Sequence, residues 1–187
     1  LLDDDFSSIV DAIQAGRRIF DNLRKSVSFI VAIHIPIIGL SFIPVIMGWP
    51  ILLMPVHILV LELLIDPTCS LAFEAESEES DLMQRPPRPL DQSIFALPLM
   101  LRAAAEGTAL LATVVGLYWY STGHGIDTDE ARAMTFACII SGNIGLILIN
   151  RSNRGDILSG LTRPNPILWW VVGLTVVIVS AALLLPS

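Results

Sequence analysis

The residues from Ser26 to Met47 read SVSFIVAIHIPIIGLSFIPVIM, an apolar run about long enough to cross the roughly 30 Å hydrocarbon core of a bilayer. Such a run constrains a chain more than any short motif does. A bilayer core offers backbone amides and carbonyls no water, so a crossing segment must satisfy them internally. Runs of similar character recur at Ile51–Phe73, Ile94–Tyr120, Ala133–Ile149 and Ile167–Leu185, each followed or preceded by a polar loop. Hydrophobic residues make up 53% of the 187 and the mean hydropathy is +0.70, and they come in blocks rather than amphipathic stripes. The fold class expected is all-α: a polytopic transmembrane helix bundle of about five spans.

An N-terminal cytoplasmic helix is expected ahead of the first span. Ile9, Val10, Ile13, Ile19, Phe20 and Leu23 return at helical spacing, and Arg17, Arg18, Arg24 and Lys25 crowd its end. The chain then divides into residues 1–25 (stalk helix), 26–73 (a transmembrane hairpin turning at Gly48-Trp49-Pro50), 74–93 (a cytoplasmic loop, acidic and then proline-rich) and 94–187 (C-terminal transmembrane helices). Tyr118-Trp119-Tyr120 and Trp169-Trp170 are expected as interfacial anchors. In this layout Arg17, Arg18, Arg24, Lys25, Arg85, Arg88, Arg102, Arg151, Arg154 and Arg163 fall on one side and only Arg132 on the other. By the positive-inside rule the first side is the cytoplasm, which also holds the N-terminal end.

The formal net charge of −7 is concentrated in Asp3–Asp5, Glu74–Asp81 and Asp127–Glu130, all expected in water. The basic residues are too few and scattered for a nucleic-acid surface, so no nucleic-acid partner is expected. Cys69 and Cys138 lie in apolar segments without a CxxC or CPC pattern, which supports neither a zinc site nor soft-metal transport. The chain opens with LLDDDF and ends with LLLPS, and both ends read as cut from a longer protein.

The residues that point to chemistry lie in His57–Glu79. Glu62 and Asp66 sit four residues apart, on one face of a helix, inside an apolar run, with Pro67 directly after. Intramembrane carboxylates are costly and mark ion or proton sites by default. Pro67 cannot donate a helical hydrogen bond, so local unwinding is expected there, freeing carbonyl oxygens that hard cations favour. The plainer reading is a capping or salt-bridged pair that only joins spans, but no basic residue is expected at this depth, so a salt bridge would have no partner. His34 on the neighbouring span reads three ways: a ligand, a proton carrier, or a packed imidazole bonded to a carbonyl. His57 and His124 are expected near the outer face. Arg102 and Glu106 read as an ion pair within one helix. Thr135, Ser141 and Asn143 are expected to bond between helices. Thr68 and Cys69, near Asp66, are expected to support it indirectly.

DDDFSSIVDAIQAGRRIFDNLRKSVSFIV resembles the end of the phosphorylation domain and the stalk into the fifth membrane helix of P-type cation-transporting ATPases. PVHILVLELLIDPTCSLAFEAE, followed by DLMQRPPR, resembles their sixth helix and the loop after it, nearest to the calcium-pump branch. The specific likeness covers roughly residues 1 to 90; beyond it, the spans agree with the family mainly in number, spacing and orientation. The resemblance implies that the five spans are pump helices five to nine. It implies that Glu62 stands where the branch has a ligand asparagine, Asp66 where it has a ligand aspartate, and His34 where the fifth helix has a ligand asparagine. Ile37, Ile65 and Ile144 stand where two-calcium pumps have further ligands or a threonine, so one divalent cation per cycle is implied: Ca2+, with Mn2+ or Mg2+ as other oxygen-seeking candidates.

No DKTGT, TGES or PEGL motif occurs. The resemblance therefore implies that ATP and its Mg2+ are bound by domains missing from this sequence. Those are the actuator, nucleotide-binding and phosphorylation domains, with helices one to four, of a multi-pass protein in a bacterial plasma membrane. The rivals are a proton-coupled secondary transporter relaying through Glu62, Asp66 and His34, and a non-transporting membrane anchor.

Overall fold

The structure, a computed structural model, describes residues 6–87, 89, 93–151 and 164–184. All regular structure among them is helical. The elements are α1 (Phe6–Met47), α2 (Pro55–Pro67) continuing as a π-helical turn (Thr68–Ala72), a short 3-10 turn (Leu82–Gln84), α3 (Leu97–Gly123), α4 (Thr128–Asn150) and α5 (Pro166–Leu184).

α1 is one unbroken helix of 42 residues, about 63 Å at 1.5 Å per residue, roughly twice a bilayer core. Its inward residues, Phe29, Ala32, Ile33, Ile37 and Leu40, repeat at three to four and are all buried. Pro36 lies within it and removes the amide that would bond the Ala32 carbonyl. That carbonyl faces Gly107 of α3, so closely that a Cβ at residue 107 would overlap its oxygen. The proline and the glycine thus meet at one crossing, where the freed carbonyl approaches a backbone with no side chain in the way. Leu111 and Leu110 of α3 fill the spaces over Gly39 of α1 and Gly142 of α4, and α1, α3 and α4 form the core. Gly48 ends α1 at φ 67°, and the turn returns Trp49 onto Tyr118, ring centroids 5.4 Å apart. Tyr118 is therefore core rather than an interfacial anchor, while Trp119 and Tyr120 are exposed.

The expected span count is corrected. Among the described residues three helices, α1, α3 and α4, are long and apolar enough to cross a membrane, not five. The expected second span, Ile51–Phe73, is cut short because its helix starts only at Pro55 and gives way at Pro67 to the π-helical turn. Thirteen α-helical residues reach about 20 Å, short of the bilayer core. In the expected fifth span, the apolar stretch among the described residues is Pro166–Val177, too short alone. Arg88, Arg154 and Arg163 of the positive-inside tally, and Asp3–Asp5, lie outside the described residues.

The loop after α2 is not simply in water, as its acidity suggested. Glu76 is 1% exposed and Glu79 8%. Arg151, at the end of α4, grips Glu76 with both arms of its guanidinium, Nε to Oε2 at 3.0 Å and Nη2 to Oε1 at 3.1 Å. Asn165 donates to Glu76 Oε2 (2.9 Å) and to Ala72 O (2.8 Å), and its own oxygen caps α5 by accepting from Leu168 N. Asn22 of α1 donates to the Glu76 carbonyl at 2.9 Å. Along α1 the loop is met at one-turn intervals: Gln14 by Glu78, Arg17 by the Leu82 and Arg85 carbonyls, Asp21 by Arg85, and Lys25 by Glu79 at 3.0 Å. A hydrogen bond to Asp81, and after it the pairing with Asp21, outweigh burial and hold the Arg85 pKa above its ordinary value.

Gly107→Ala should cost about 1–3 kcal/mol by overpacking, whereas Gly116→Ala, whose Cβ meets nothing within 4 Å, should be neutral or slightly stabilising; thermal unfolding in detergent separates them. Glu76→Gln should cost on the order of 3–5 kcal/mol by leaving the Arg151 charge buried and unneutralised, and Glu76→Leu combined with Arg151→Met should recover most of it in the same assay.

Candidate functional site

His34 lies in the second half of α1, nine residues past the last loop contact at Lys25, and faces Glu62 of α2. The His34 ring Nδ1 lies 2.8 Å from the Ile30 carbonyl, one turn back. A carbonyl only accepts, so Nδ1 carries the hydrogen, and in the neutral ring Nε2 bears the lone pair. Nε2 faces Glu62 Oε1 at 3.7 Å, with both side chains a little over a third exposed.

This geometry bears on two of the sequence expectations. The imidazole is bonded to a carbonyl, as one of the three readings had it, and that bond orients the other nitrogen outward. A histidine that ligates a metal characteristically donates its second N–H in this way. The expectation that no basic residue shares the depth of Glu62 is corrected: His34 stands beside it. The separation of 3.7 Å is too long for a hydrogen bond. With a neutral ring the pair offers one nitrogen and one carboxylate oxygen; with a protonated ring it is an ion pair.

Asp66 lies one turn beyond Glu62 and is exposed, whereas Leu61, Leu64 and Ile65 beside them are buried. Pro67 does not unwind the chain into coil. The helix widens instead: the Phe73 amide reaches back to the Thr68 carbonyl, and the Thr68 hydroxyl donates to the Leu64 carbonyl at 2.9 Å. Pro67 still leaves the Leu63 carbonyl without the amide donor a regular helix provides, one turn before Asp66. The Cys69 side chain lies outside the described part of the structure. Among the described residues no three His, Cys, Asp or Glu side chains gather in an arrangement that holds a metal, so His34 and Glu62 come together while Asp66 is not part of such a trio.

Elsewhere in the bundle, Arg102 and Glu106 pair at 2.8 Å as expected, and Asn150 of α4 adds a bond to the other Glu106 oxygen. Thr135 and Ser141 bond carbonyls of their own helix, four residues back, rather than neighbouring helices. Asn143, 1% exposed, has a side-chain oxygen with no hydrogen-bond partner among the described residues. His57 stacks on Phe136 with ring centroids 4.6 Å apart, and His124 bonds the Tyr120 carbonyl. Glu76, Arg151 and Asn165, which anchor the end of the Glu62-bearing segment, are not legible as a unit in the sequence. A glutamate in an acidic loop and an arginine at a helix end each read as surface charges.

Comparison with known proteins adds to this geometry. The family described as Cation transporting ATPase, C-terminus, matches residues 50–187, from the turn before α2 through α5. Calcium-transporting ATPase 1 of Bacillus cereus is 34% identical over 125 residues, 65% of this chain and 14% of that protein. Calcium-transporting ATPase 1 of Lactococcus lactis is 30% identical over 159 residues, 84% of this chain and 18% of that protein. Human calcium-transporting ATPase type 2C member 1 is 25% identical over 174 residues, 92% of this chain and 19% of that protein. The chain spans less than a fifth of the length of these relatives. With its apolar helices it is a multi-pass membrane protein, and it belongs to the cation-transporting ATPase C-terminal family.

Proposed function

We propose that this chain is the C-terminal membrane region of an ATP-driven P-type pump that exports Ca2+ from a bacterial cytoplasm, and that Glu62, Asp66 and His34 contribute to its cation site. The observation that carries the reading is the approach of His34 to Glu62, at positions the resemblance assigns to ligands, in a chain whose relatives are named as calcium-transporting. Glu62 and Asp66 supply the oxygen donors that Ca2+ favours, with the Leu63 carbonyl nearby. His34 Nε2 is pre-oriented by its bond to Ile30.

ATP hydrolysis belongs to the rest of the pump. Its actuator, nucleotide-binding and phosphorylation domains and first four helices are the partners of this region. The long α1 supports such a division. Phe6, Ile9, Val10, Ile13, Ile19 and Leu23 leave an apolar, exposed face along its first half, which the described residues do not cover. On this reading a force on that half of α1 moves His34 directly, because the two lie on one helix.

In the full-length pump, Asp66→Asn should abolish calcium-stimulated phosphorylation by ATP. Phosphorylation and transport at the level of the unaltered pump would refute the assignment of Asp66. His34→Ala should raise the calcium concentration for half-maximal phosphorylation by about tenfold, corresponding to the loss of about 1.4 kcal/mol of binding. An unchanged half-maximal concentration would remove His34 from the ligand set.

A further inference from the structure

At the end of the bundle away from the α1–α2 turn, an open cavity of about 340 Å³ lies between α1, the loop after α2, the first turn of α3 and the last turn of α4. Its walls are rich in charge, but the carboxylates among them are already matched. Asp21 and Asp81 hold Arg85, each at 2.6 Å, and Glu79 holds Lys25 at 3.0 Å. The groups left over are hydrogen-bond donors. Ser28, 2% exposed, has a hydroxyl with no hydrogen-bond partner among the described residues, and the buried Arg24 Nε likewise has none there. Both residues line the cavity. Buried polar groups in folded proteins are nearly always paired, so two unmet donors at one cavity call for an acceptor there.

The acceptor that fits is an anion. Arg24 presents a planar guanidinium suited to phosphate oxygens, steadied by the Phe20 ring 6.0 Å away. The Lys25 ammonium stands beside it and has no hydrogen-bond partner of good geometry. Leu99, in the first turn of α3, also lines the cavity, which places the N-terminal end of that helix beside it. A cation would offer these donors no acceptor.

We propose that this cavity binds a phosphate group, held by Arg24 and Ser28 with Lys25 alongside. The phosphate is that of an anionic phospholipid headgroup or of a soluble phosphate compound. The site is separate from His34 and Glu62 and does not depend on which ion is pumped.

The test uses the full chain in a phosphate-free maltoside detergent, with unfolding followed by tryptophan fluorescence. One arm titrates inorganic phosphate at constant ionic strength. The other titrates dioctanoyl phosphatidylglycerol against the uncharged dioctanoylglycerol. A saturable rise in Tm in either arm is expected. A rise in the lipid arm alone assigns a headgroup, and one in the phosphate arm alone assigns a soluble anion. Arg24→Gln should raise the half-saturating concentration at least tenfold, Ser28→Ala several-fold, and Arg24→Lys less than Arg24→Gln. No saturable rise in either arm, with only water filling the cavity, overturns the proposal. So does a response that Ser28→Ala, in a protein that elutes and unfolds like the original, leaves unchanged. If Arg24→Gln does not fold, the Ser28→Ala comparison decides alone.

Discussion

Much of this structure depends on one buried ion pair, Glu76 with Arg151, in which both side chains are almost completely removed from water. Taken as a stability element, such a pair gains little over a well-packed apolar one, because desolvating two charges offsets most of their attraction. Its consequence is positional. Glu76 is reached from α4 through Arg151, from the start of α5 through Asn165, and from α1 through Asn22. Asn165 also holds the Ala72 carbonyl at the end of the π-helical turn. A segment that would otherwise leave α2 as a loose acidic loop is therefore held against three helices at once. Each of those bonds is lost if the loop shifts by a residue.

That anchorage matters because α2 is short. Helices that cross a bilayer are held by their length and their apolar surface. α2 has 13 residues and a proline at its end, so its position is set by the anchored segment on its C-terminal side. On the other side, α1 is fixed against α3 where Pro36 releases the Ala32 carbonyl toward Gly107. His34 lies two residues from that proline. The His34–Glu62 approach is thus the meeting of two independently fixed elements: one located by a helix crossing, the other by a buried clasp. The contacts of Gln14, Arg17, Asp21 and Lys25 with the loop join these elements again on the N-terminal half of α1. Movement of that half would reach Glu62 by two routes, through the helix and through the loop.

How far the sequence announces this depends on the kind of signal. Block hydropathy locates α1, α3 and α4, because a helix that crosses a bilayer must be long and apolar whatever it packs against. The same signal overcounts at Ile51–Phe73. Hydropathy averages over a window and does not register that Pro55 begins the helix late and Pro67 disrupts it early. The resemblance in residues 1 to 90 is visible where ligand-bearing motifs occur, while the family match runs on to residue 187 through helices without such motifs. Glu62 and His34 are legible as polar groups in apolar surroundings, but their pairing is not, since the expectation of no basic residue at that depth passes over histidine. Glu76 and Glu79 read as solvated because a run of acids gives no sign of which members find a buried arginine or lysine. Thr135 and Ser141 read as interhelical donors, yet a hydroxyl on a helix has an acceptor in its own preceding turn, and that bond needs no neighbour.

The character of the proposed cation site comes from the surroundings of the pair. Ile37 and Ile65, where the resemblance to two-site pumps has polar residues, are 6% and 2% exposed and belong to the packed core. Their side chains offer a cation no lone pair and take part in the contacts that hold α1 and α2 in place. Turning either into a ligand would put a polar or charged group into a close-packed interior, at a cost that only a bound cation could offset. The donors that remain are Glu62 and His34 face to face, Asp66 a turn further along the exposed side of α2, and the Leu63 carbonyl that Pro67 releases. In the proposed site the carboxylates of Glu62 and Asp66 would carry the countercharge of one divalent ion. A second divalent ion in the same place would bring two more positive charges with no further carboxylate to meet them. In the pumping mechanism proposed, this charge balance favours one cation per cycle. The carboxylates would supply the countercharge, and the bond of His34 Nδ1 to the Ile30 carbonyl turns its Nε2 toward Glu62.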